Sequence, residues 1–262
     1  MRVLVTGFLG RMGSTSAKKV LDHEGFELVA LVNTDLDQHV DEVTAWSKAA
    51  PVFASIEEAI EQVAIDVAID FTVPDVAFTN TKYYIDHNIH PVIGTTGFTD
   101  AEIDQLTKLS AEKKLGGLIA PNFAIGSVLM QIFSAKAAKY LPDVEITEIH
   151  HNQKLDAPSG TAEKTAKLIY EARGEHVSGH PDEKETMPGA RGADYHGVRI
   201  HSLRLPGYNS HQIVQFGGIG EALTIRQDSF DRSSYMPGVA LAVEKVATLD
   251  GLVYGLEHLL DD

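Results

Sequence analysis

Strand-like and helix-like segments alternate through nearly the first half of this sequence, and a glycine-rich turn joins the first pair. The run Arg2 to Thr6 predicts a short buried strand, and Ser14 to His23 has the periodicity of a helix. Between them, glycine recurs at every third position of residues 7–13. A strand, a glycine turn and a helix in this order are typical of the first half of a dinucleotide-binding unit.

Each glycine of this turn has an expected role. Gly7 would make the tight turn, Gly10 would let a pyrophosphate approach the backbone, and Gly13 would let the helix pack against the strand. The spacing is G-x-x-G-x-x-G rather than G-x-G-x-x-G, so a plain strand-to-helix connection remains an alternative.

The alternation continues with strand-like runs that are separated by polar loops and helical patterns. Because such units stack side by side, we predict an α/β fold in which the amino-terminal domain is a Rossmann-like, doubly wound parallel sheet. The residue after the second strand commonly selects the cofactor, an acid favouring NADH and nearby bases favouring NADPH. Asn33 and Thr34 occupy that place and are neither acidic nor basic, although Arg11 could reach a phosphate. Both cofactors therefore remain possible. The further strands are predicted at Glu27–Val32, Val67–Thr72, Pro91–Ile93 and Gly117–Ala120.

The pattern changes after residue 121. Gly126 to Tyr140 predicts one long amphipathic helix, and the segment 174–197, rich in Gly, Pro and charge, is expected to hold no regular element. We therefore predict a second, α+β domain with a mixed sheet of about four strands over one large helix. The open face of such a sheet predicts oligomerisation. The strands are expected at 144–149, 198–205, 211–216 and 222–227.

The bulk properties narrow the possible partners. The formal net charge is −15, which disfavours nucleic acid and anionic membranes. No apolar run approaches the length of a membrane span, and no signal peptide is expected. The absence of cysteine excludes disulfides, thiolate metal sites and cysteine nucleophiles. We expect a cytoplasmic protein with neither a nucleic-acid nor a membrane partner.

The loop of residues 150–161 brings three kinds of chemistry together. His150 and His151 are of the type that exchanges protons near neutral pH, and Lys154 adds a compact cation. Residues 159–161 open a helix, so their N–H groups offer an anion site. A substrate that bears carboxylates and needs a proton suits these groups. A solvated surface loop with an ordinary helix cap is the alternative.

The two adjacent histidines also raise the question of a metal site. Consecutive side chains of a strand point to opposite faces, so His150 and His151 are poorly placed to share an ion. No cysteine and no H-x-x-E-H spacing supports such a site, and we expect no metal.

The stretch Glu-Ile-His-His-Asn-Gln-Lys-Leu-Asp-Ala-Pro-Ser-Gly-Thr-Ala at 148–162 resembles the signature of the 4-hydroxy-tetrahydrodipicolinate (dihydrodipicolinate) reductase family. Gly-Arg-Met-Gly at 10–13, Asp-Phe-Thr at 70–72, Gly-Thr-Thr at 94–96 and Asn-Phe at 122–123 extend the resemblance over essentially the whole chain. The resemblance implies reduction of 4-hydroxy-tetrahydrodipicolinate to tetrahydrodipicolinate by NADPH or NADH, with loss of water, in the diaminopimelate route to lysine.

The resemblance also implies roles for individual residues. His150 matches the family's proton donor, and Lys154 matches its second acid. The residues that match the family's contacts to its small, cyclic dicarboxylate substrate are His151, Ser159, Gly160 and Thr161. The residues that match the family's contacts to the cofactor are Gly7, Phe8, Leu9, Gly10, Arg11, Met12, Asn33, Thr34, Phe71, Thr72, Gly94, Thr95, Thr96, Ala120, Pro121, Asn122 and Phe123.

In the family, the carboxyl-terminal tail packs back on the cofactor domain. This implies that residues 1–121, completed by 231–262, form a dinucleotide-binding domain, and that 122–230 form a substrate-binding and oligomerisation domain. Members of the family form tetramers, so the resemblance also implies a homotetramer.

Two other functions are compatible with a dinucleotide-binding fold. A different Rossmann oxidoreductase acting on an amino or imino acid would keep the glycine turn but would not need the signature at 148–162. A dinucleotide sensor without activity would be expected to lose His150 or Lys154, and this sequence has both.

Overall fold

The computed structural model describes residues 1–260. This part of the chain forms two compact units, Met1–Ile125 with the segment from Tyr235 onward, and Gly126–Ser234. The strands are β1 (Arg2–Thr6), β2 (Glu27–Val32), β3 (Val52–Phe53), β4 (Val67–Asp70), β5 (His90–Ile93), β6 (Gly117–Ile119), β7 (Asp143–His150), β8 (Ala193–Tyr195), β9 (Val198–Arg204), β10 (Ser210–Gly218), β11 (Glu221–Ser229) and β12 (Leu252–Tyr254). The helices are α1 (Arg11–Leu21), α2 (Val40–Trp46), α3 (Ile56–Gln62), α4 (Pro74–Asp86), α5 (Asp100–Lys113), α6 (Ile125–Ala138), α7 (Gly160–Arg173) and α8 (Met236–Lys245).

The first unit is built on a seven-stranded parallel sheet in the order β12-β6-β5-β4-β1-β2-β3. The predicted doubly wound parallel sheet is thereby confirmed. The strand order reverses between β1 and β4, and in such sheets ligands bind in the crevice at the carboxyl ends of the strands beside that reversal. Two edge strands, β3 and β12, were not predicted from the sequence.

The central strands of this sheet are apolar at nearly every position because helices cover both faces. Leu4, Ile69 and Ile93 are fully buried. Asp70 is the exception at the end of β4, and it is also fully buried. Its carboxylate accepts hydrogen bonds from the Thr72 backbone N–H at 2.9 Å and from other polar groups, so it has a structural role in shaping the turn after β4.

The second unit is built on a five-stranded mixed sheet in the order β11-β10-β7-β9-β8. β7 lies in the centre, antiparallel to β10 and parallel to β9. The fifth strand, β8, falls in the segment that was expected to hold no element. Both α6 and α7 contribute to the core on one face of the sheet, where Met130 and Ala166 pack with Ile146. The expectation of a single covering helix was therefore wrong.

The opposite face of this sheet is polar and charged. Glu145 alternates with the buried Val144 and Ile146, so it points away from α7. Its carboxylate pairs with Arg191 Nη2 at 2.5 Å and with His201 Nε2 at 2.9 Å.

The unit boundaries fall at 125/126 and 234/235, a few residues beyond the expected 121/122 and 230/231. Among residues 1–260, no helix is both long enough and apolar enough to traverse a bilayer.

Candidate active site

The glycine turn after β1 is shaped by positions that exclude a side chain. Gly7 has φ +78°, and a Cβ atom there would lie 2.7 Å from the Phe71 carbonyl oxygen. A Cβ atom on Gly13 would lie 2.0 Å from the Gly7 carbonyl oxygen. Gly10 is the N-cap of α1 and has no side chain to shield the first turn of the helix. This backbone fits a dinucleotide, because the pyrophosphate site of such folds is a helix N-terminus that a ligand can approach closely.

Further predicted cofactor residues gather at the carboxyl ends of β4, β5 and β6. A Cβ atom on Gly94 would lie 1.9 Å from an atom of the Phe71 ring, so this glycine makes room for that ring. The Phe71 ring lies 5.8 Å from that of Phe123. Thr95 Oγ1 donates to the Thr72 carbonyl oxygen at 3.3 Å. The loops after β4, β5 and β6 therefore contact one another at one edge of the sheet.

A cavity of about 440 Å³ opens at the same edge, beside β1 and β2. The predicted residues that line it include Asn33 and Thr34. The sequence did not nominate three further lining residues, Asp35 after β2 and Ser55 and Glu57 at the start of α3. The two-residue strand β3, which leads to this helix start, is too short to give a sequence signal of its own.

The remaining predicted cofactor residues differ in exposure. Phe8 is fully buried, and its ring meets Trp46 at 6.2 Å in a T-shaped contact, so only its backbone is available to a ligand. Asn122 is half-buried, and its side-chain oxygen accepts from the Ala124 N–H at 2.8 Å. Leu9 and Met12 are half-buried, Ala120 is buried, and Arg11, Thr96 and Pro121 are exposed.

His150 is the last residue of β7 in the second unit, and its neighbours on the adjacent strands are Ser210 of β10 and Arg204 of β9. Its Nδ1 lies 2.5 Å from Glu148 Oε2, and its Nε2 lies 3.1 Å from Ser210 Oγ. Since Glu148 is two residues earlier on the same strand, both side chains point to the face that α7 covers.

Glu148 is fully buried beneath His150. Arg204 binds it with both terminal guanidinium nitrogens, Nη1 to Oε2 at 2.9 Å and Nη2 to Oε1 at 2.8 Å. Burial alone would raise the pKa of Glu148, but hydrogen bonds from His150, Arg204 and Ser202 outweigh it and lower that pKa to about 2. Glu148 is therefore a carboxylate at neutral pH. The sequence did not single out Arg204.

The loop after β7 leads into α7. Lys154 Nζ lies 2.7 and 2.8 Å from the two carboxylate oxygens of Asp156. Ser159 caps α7, and its hydroxyl accepts from the Ala162 N–H at 3.3 Å. Gly160 is exposed at the helix start, and a Cβ atom there would meet nothing within 4 Å. The first turn of α7 thus presents N–H groups that can bind an anion.

The other predicted substrate contacts lie nearby in the chain. Thr161 is half-buried, and its carbonyl oxygen accepts from Thr165 Oγ1 at 2.7 Å. His151 is exposed. Gly160 also borders a cavity of about 520 Å³ whose lining includes Lys164 and Lys167, cations that sequence reasoning did not nominate. Within residues 1–260, no three His, Cys, Asp or Glu side chains are placed to hold a metal ion.

The family models match both parts of the chain. The model described as dihydrodipicolinate reductase, N-terminus, covers residues 1–123, and that described as dihydrodipicolinate reductase, C-terminus, covers residues 126–260. The chain belongs to the dihydrodipicolinate reductase family. The family predicted from the signature is confirmed.

Full-length relatives agree with the family models. The chain is 55% identical over 263 residues to the 4-hydroxy-tetrahydrodipicolinate reductase of Enterococcus faecalis (strain ATCC 700802 / V583), covering 99% of this chain and 100% of the relative. It is 53% identical over 261 residues to that of Lactococcus lactis subsp. cremoris (strain MG1363), covering 100% and 98%. Reductases of this family are NAD(P)H-dependent oxidoreductases of lysine and diaminopimelate biosynthesis.

A solved structure of the family has the same fold. The dipicolinate-bound dihydrodipicolinate reductase from Paenisporosarcina sp. TG-14 has a TM-score of 0.94 and 48% identity, with 99% of both chains covered. A myo-inositol dehydrogenase from Lactobacillus casei in complex with NAD(H) and myo-inositol has a TM-score of 0.66 at 11% identity, with 99% of this chain and 90% of the other covered. The similarity to the myo-inositol dehydrogenase shows only that the two proteins share a fold.

Proposed function

We propose that this chain is an NAD(P)H-dependent 4-hydroxy-tetrahydrodipicolinate reductase. It reduces a small cyclic dicarboxylate to tetrahydrodipicolinate, with loss of water, in lysine biosynthesis by the diaminopimelate route. The single observation that carries this assignment is the end of β7. There a histidine held at both ring nitrogens, a lysine and an open helix N-terminus occur together on residues 150–161, in a chain matched by the family's models along its length.

The residues of the second unit bind the substrate through its negative charges. The substrate carries two carboxylates, and the N–H groups of Gly160 and Thr161, with the side chains of Ser159 and His151, bind one of them. Lys154 is the cation available to the other, and its present partner Asp156 is an exposed carboxylate that a substrate can displace. Binding two anions beside cations and N–H dipoles also makes the ring a better hydride acceptor.

His150 is the proton donor in this proposal. The hydroxyl on carbon 4 first leaves as water, with a proton from the adjacent ring carbon. The unsaturated ring then accepts at carbon 4 the hydride that the reduced nicotinamide cofactor would supply when bound. Carbon 3 of the resulting enamine must then gain a proton, and a protonated imidazole is a general acid that can give it. Lys154 supports this step as the second acid.

The residues proposed to hold the cofactor lie in the first unit. The Gly7–Gly13 turn and the N-terminus of α1 hold the pyrophosphate, and Asn33 and Thr34 face the adenosine ribose. The loops after β4, β5 and β6 hold the nicotinamide end. The dipicolinate bound to the Paenisporosarcina reductase is also a cyclic dicarboxylate, which supports the substrate class.

The proposal includes a homotetramer that forms through the open, charged face of the second sheet and acts in the cytoplasm. A charged face of this kind is suited to a contact that ion pairs keep in register. Light scattering coupled to gel filtration checks the mass. A mass of one chain at working concentration would contradict the tetramer and leave the reaction itself to the assay below.

The assay generates the unstable substrate in place. Aspartate semialdehyde and pyruvate are mixed with the synthase that condenses them, the chain is added with NADPH or NADH, and loss of the reduced cofactor is followed. Rapid oxidation only in the complete mixture supports the reductase function. Cofactor binding without oxidation would instead favour a dinucleotide sensor or another imine substrate.

A further inference from the structure

We infer that Glu148 is the positioning residue of His150, and that Arg204 fixes Glu148 in that role. This inference rests on the proposed function, because it concerns the group that donates the proton. It adds two residues that touch neither substrate nor cofactor in the proposed reaction. Both act through His150 and through the loop that leads into α7.

The carboxylate of Glu148 accepts hydrogen bonds from His150, Arg204 and Ser159, besides one from the Ser202 side chain. Oε2 accepts from His150 Nδ1 at 2.5 Å and from Arg204 Nη1 at 2.9 Å. Oε1 accepts from Arg204 Nη2 at 2.8 Å and from the Ser159 backbone N–H at 3.3 Å. Glu148 itself has no exposed surface, so water does not compete with these donors at its carboxylate. Such a carboxylate has one orientation, and the imidazole bound to it inherits that orientation.

The ionisation of Glu148 decides which nitrogen of His150 can react. A carboxylate only accepts hydrogen bonds, so Nδ1 of His150 must carry a proton to bind it. Nε2 is therefore the atom that exchanges a proton with the substrate. The neighbour of Nε2 is the Ser210 hydroxyl, which can both donate and accept and so does not fix the protonation state.

Arg204 connects the same carboxylate to the anion-binding loop. Its Nη2 also donates to the Asp156 carbonyl oxygen at 2.7 Å, and Glu148 receives the Ser159 N–H. Both sides of the bend between Lys154 and α7 are thereby tied to β7 and β9. The proton donor and the helix start that binds the carboxylate share one rigid support.

The chain provides a matched control on the opposite face of the same strand. Glu145, three residues earlier, also pairs with one arginine and one histidine, Arg191 and His201. Glu145→Gln and Glu148→Gln make the same chemical change in the same strand. Only the second change removes a partner of the proton donor.

In Glu148→Gln an NH2 group replaces one carboxylate oxygen. It must face either Arg204 and His150 or Arg204 and Ser159, and each of these groups is itself a hydrogen-bond donor. The imidazole then loses its fixed tautomer. In the assay above we expect kcat to fall by roughly 100-fold or more, because loss of the carboxylate that orients an acid–base histidine has effects of this order. KM should change less than about fivefold, since the groups that bind the substrate remain. Glu145→Gln should keep wild-type kcat when light scattering shows the same mass as the wild type, because Glu145 lies on the face proposed for the homotetramer.

A second variant separates positioning from folding. Replacing both members of a buried ion pair by apolar groups of similar size is often nearly neutral for stability. The double variant Glu148→Met, Arg204→Met is therefore expected to fold, as judged by its circular dichroism and unfolding midpoint. It should still lose kcat by roughly 100-fold. A folded double variant with wild-type kcat would overturn the inference.

The tautomer of His150 can be read without any turnover. In ¹⁵N-histidine-labelled protein, the ring nitrogens of His150, assigned by comparison with His150→Gln, should show protonated Nδ1 in the neutral ring. The double variant should show a mixture of tautomers. Protonation of Nε2 alone in the wild-type protein would overturn the inference. A wild-type chain that oxidises no cofactor would overturn the proposed function, whereas an active wild type with a fully active Glu148→Gln variant would overturn only the positioning role.

Discussion

Lys154 and Asp156 form a lysine–carboxylate pair, with the ammonium 2.7 and 2.8 Å from the two carboxylate oxygens, at the bend between β7 and α7. The Lys154 side chain is 21% exposed and that of Asp156 is 63% exposed. The pair is thus open to competition, because exposed ion pairs contribute little to stability. A substrate carboxylate can replace Asp156 at small energetic cost.

We predict that Lys154→Ala and His150→Gln each lower kcat by roughly 100-fold to 10,000-fold while the protein stays folded, since each removes an acid or an electrostatic contact at the reacting ring. The coupled assay measures kcat, and circular dichroism checks the fold. The matched control is Lys82→Ala, which removes a lysine from a pair with Asp86 in the first unit, where the ammonium lies 2.5 Å from the carboxylate. Wild-type turnover in both site variants would contradict the assignment of the site.

The glycine turn yields a prediction on stability and binding together. In Gly13→Ala the new methyl group would lie 2.0 Å from the Gly7 carbonyl oxygen, so the turn must open. We expect a loss of roughly 2–4 kcal/mol in unfolding free energy and at least tenfold weaker NADH binding. Gly217→Ala is the control, because a Cβ atom there meets nothing within 4 Å. Chemical denaturation and a fluorescence titration measure the two effects. A Gly13→Ala protein as stable as the control would refute the close packing of this turn.

The sequence predicted the elements that depend on local patterns and missed those that depend on pairing between distant residues. The central strands, the glycine turn and the α7 cap are local patterns of residue type, and they were predicted where the structure has them. β3 and β12 have two and three residues, too few for a periodicity, and they exist because a neighbouring strand pairs with them. Arg204 and Glu148 are 56 residues apart in the sequence, and only the register of β7 on β9 brings them together.

The ionisation of Glu148 predicts an acid-labile second unit. Burial raises the pKa of this carboxyl, but the bonds from His150 and Arg204 outweigh burial and lower the pKa from 4.5 to about 2 in the folded chain. A depressed carboxyl pKa stabilises the fold above the unfolded value and ceases to do so as the pH falls through the folded value. We expect roughly 3 kcal/mol of unfolding free energy to be lost between about pH 5 and pH 2.

Urea unfolding across this pH range measures the loss, and Glu148→Gln should remove most of it because the amide does not titrate. Glu171→Gln changes an exposed carboxyl that lies 3.9 Å from Lys167, and it should leave the pH dependence as in the wild type. Equal slopes for all three proteins would show that Glu148 does not govern the acid response.

The acidic lining of the cavity beside β1 and β2 predicts a preference for NADH over NADPH. Asp35 and Glu57 are among its lining residues, and no lysine or arginine is. The residues after the second strand of such folds face the adenosine ribose, where NADPH carries an additional phosphate. Repulsion between that phosphate and the two carboxylates should weaken binding of NADPH roughly tenfold relative to NADH. Asp35→Asn should reduce this ratio severalfold, because it removes one charge without changing the shape.

The control is Asp37→Asn, which changes an exposed acid two residues further on that does not line the cavity. Fluorescence titration with each reduced cofactor, at low and at high salt, gives the dissociation constants without any substrate. The ratio should shrink at high salt if repulsion between charges causes it. Binding of NADPH as tight as that of NADH in the wild-type protein would mean that the carboxylates lie too far from the ribose to select the cofactor.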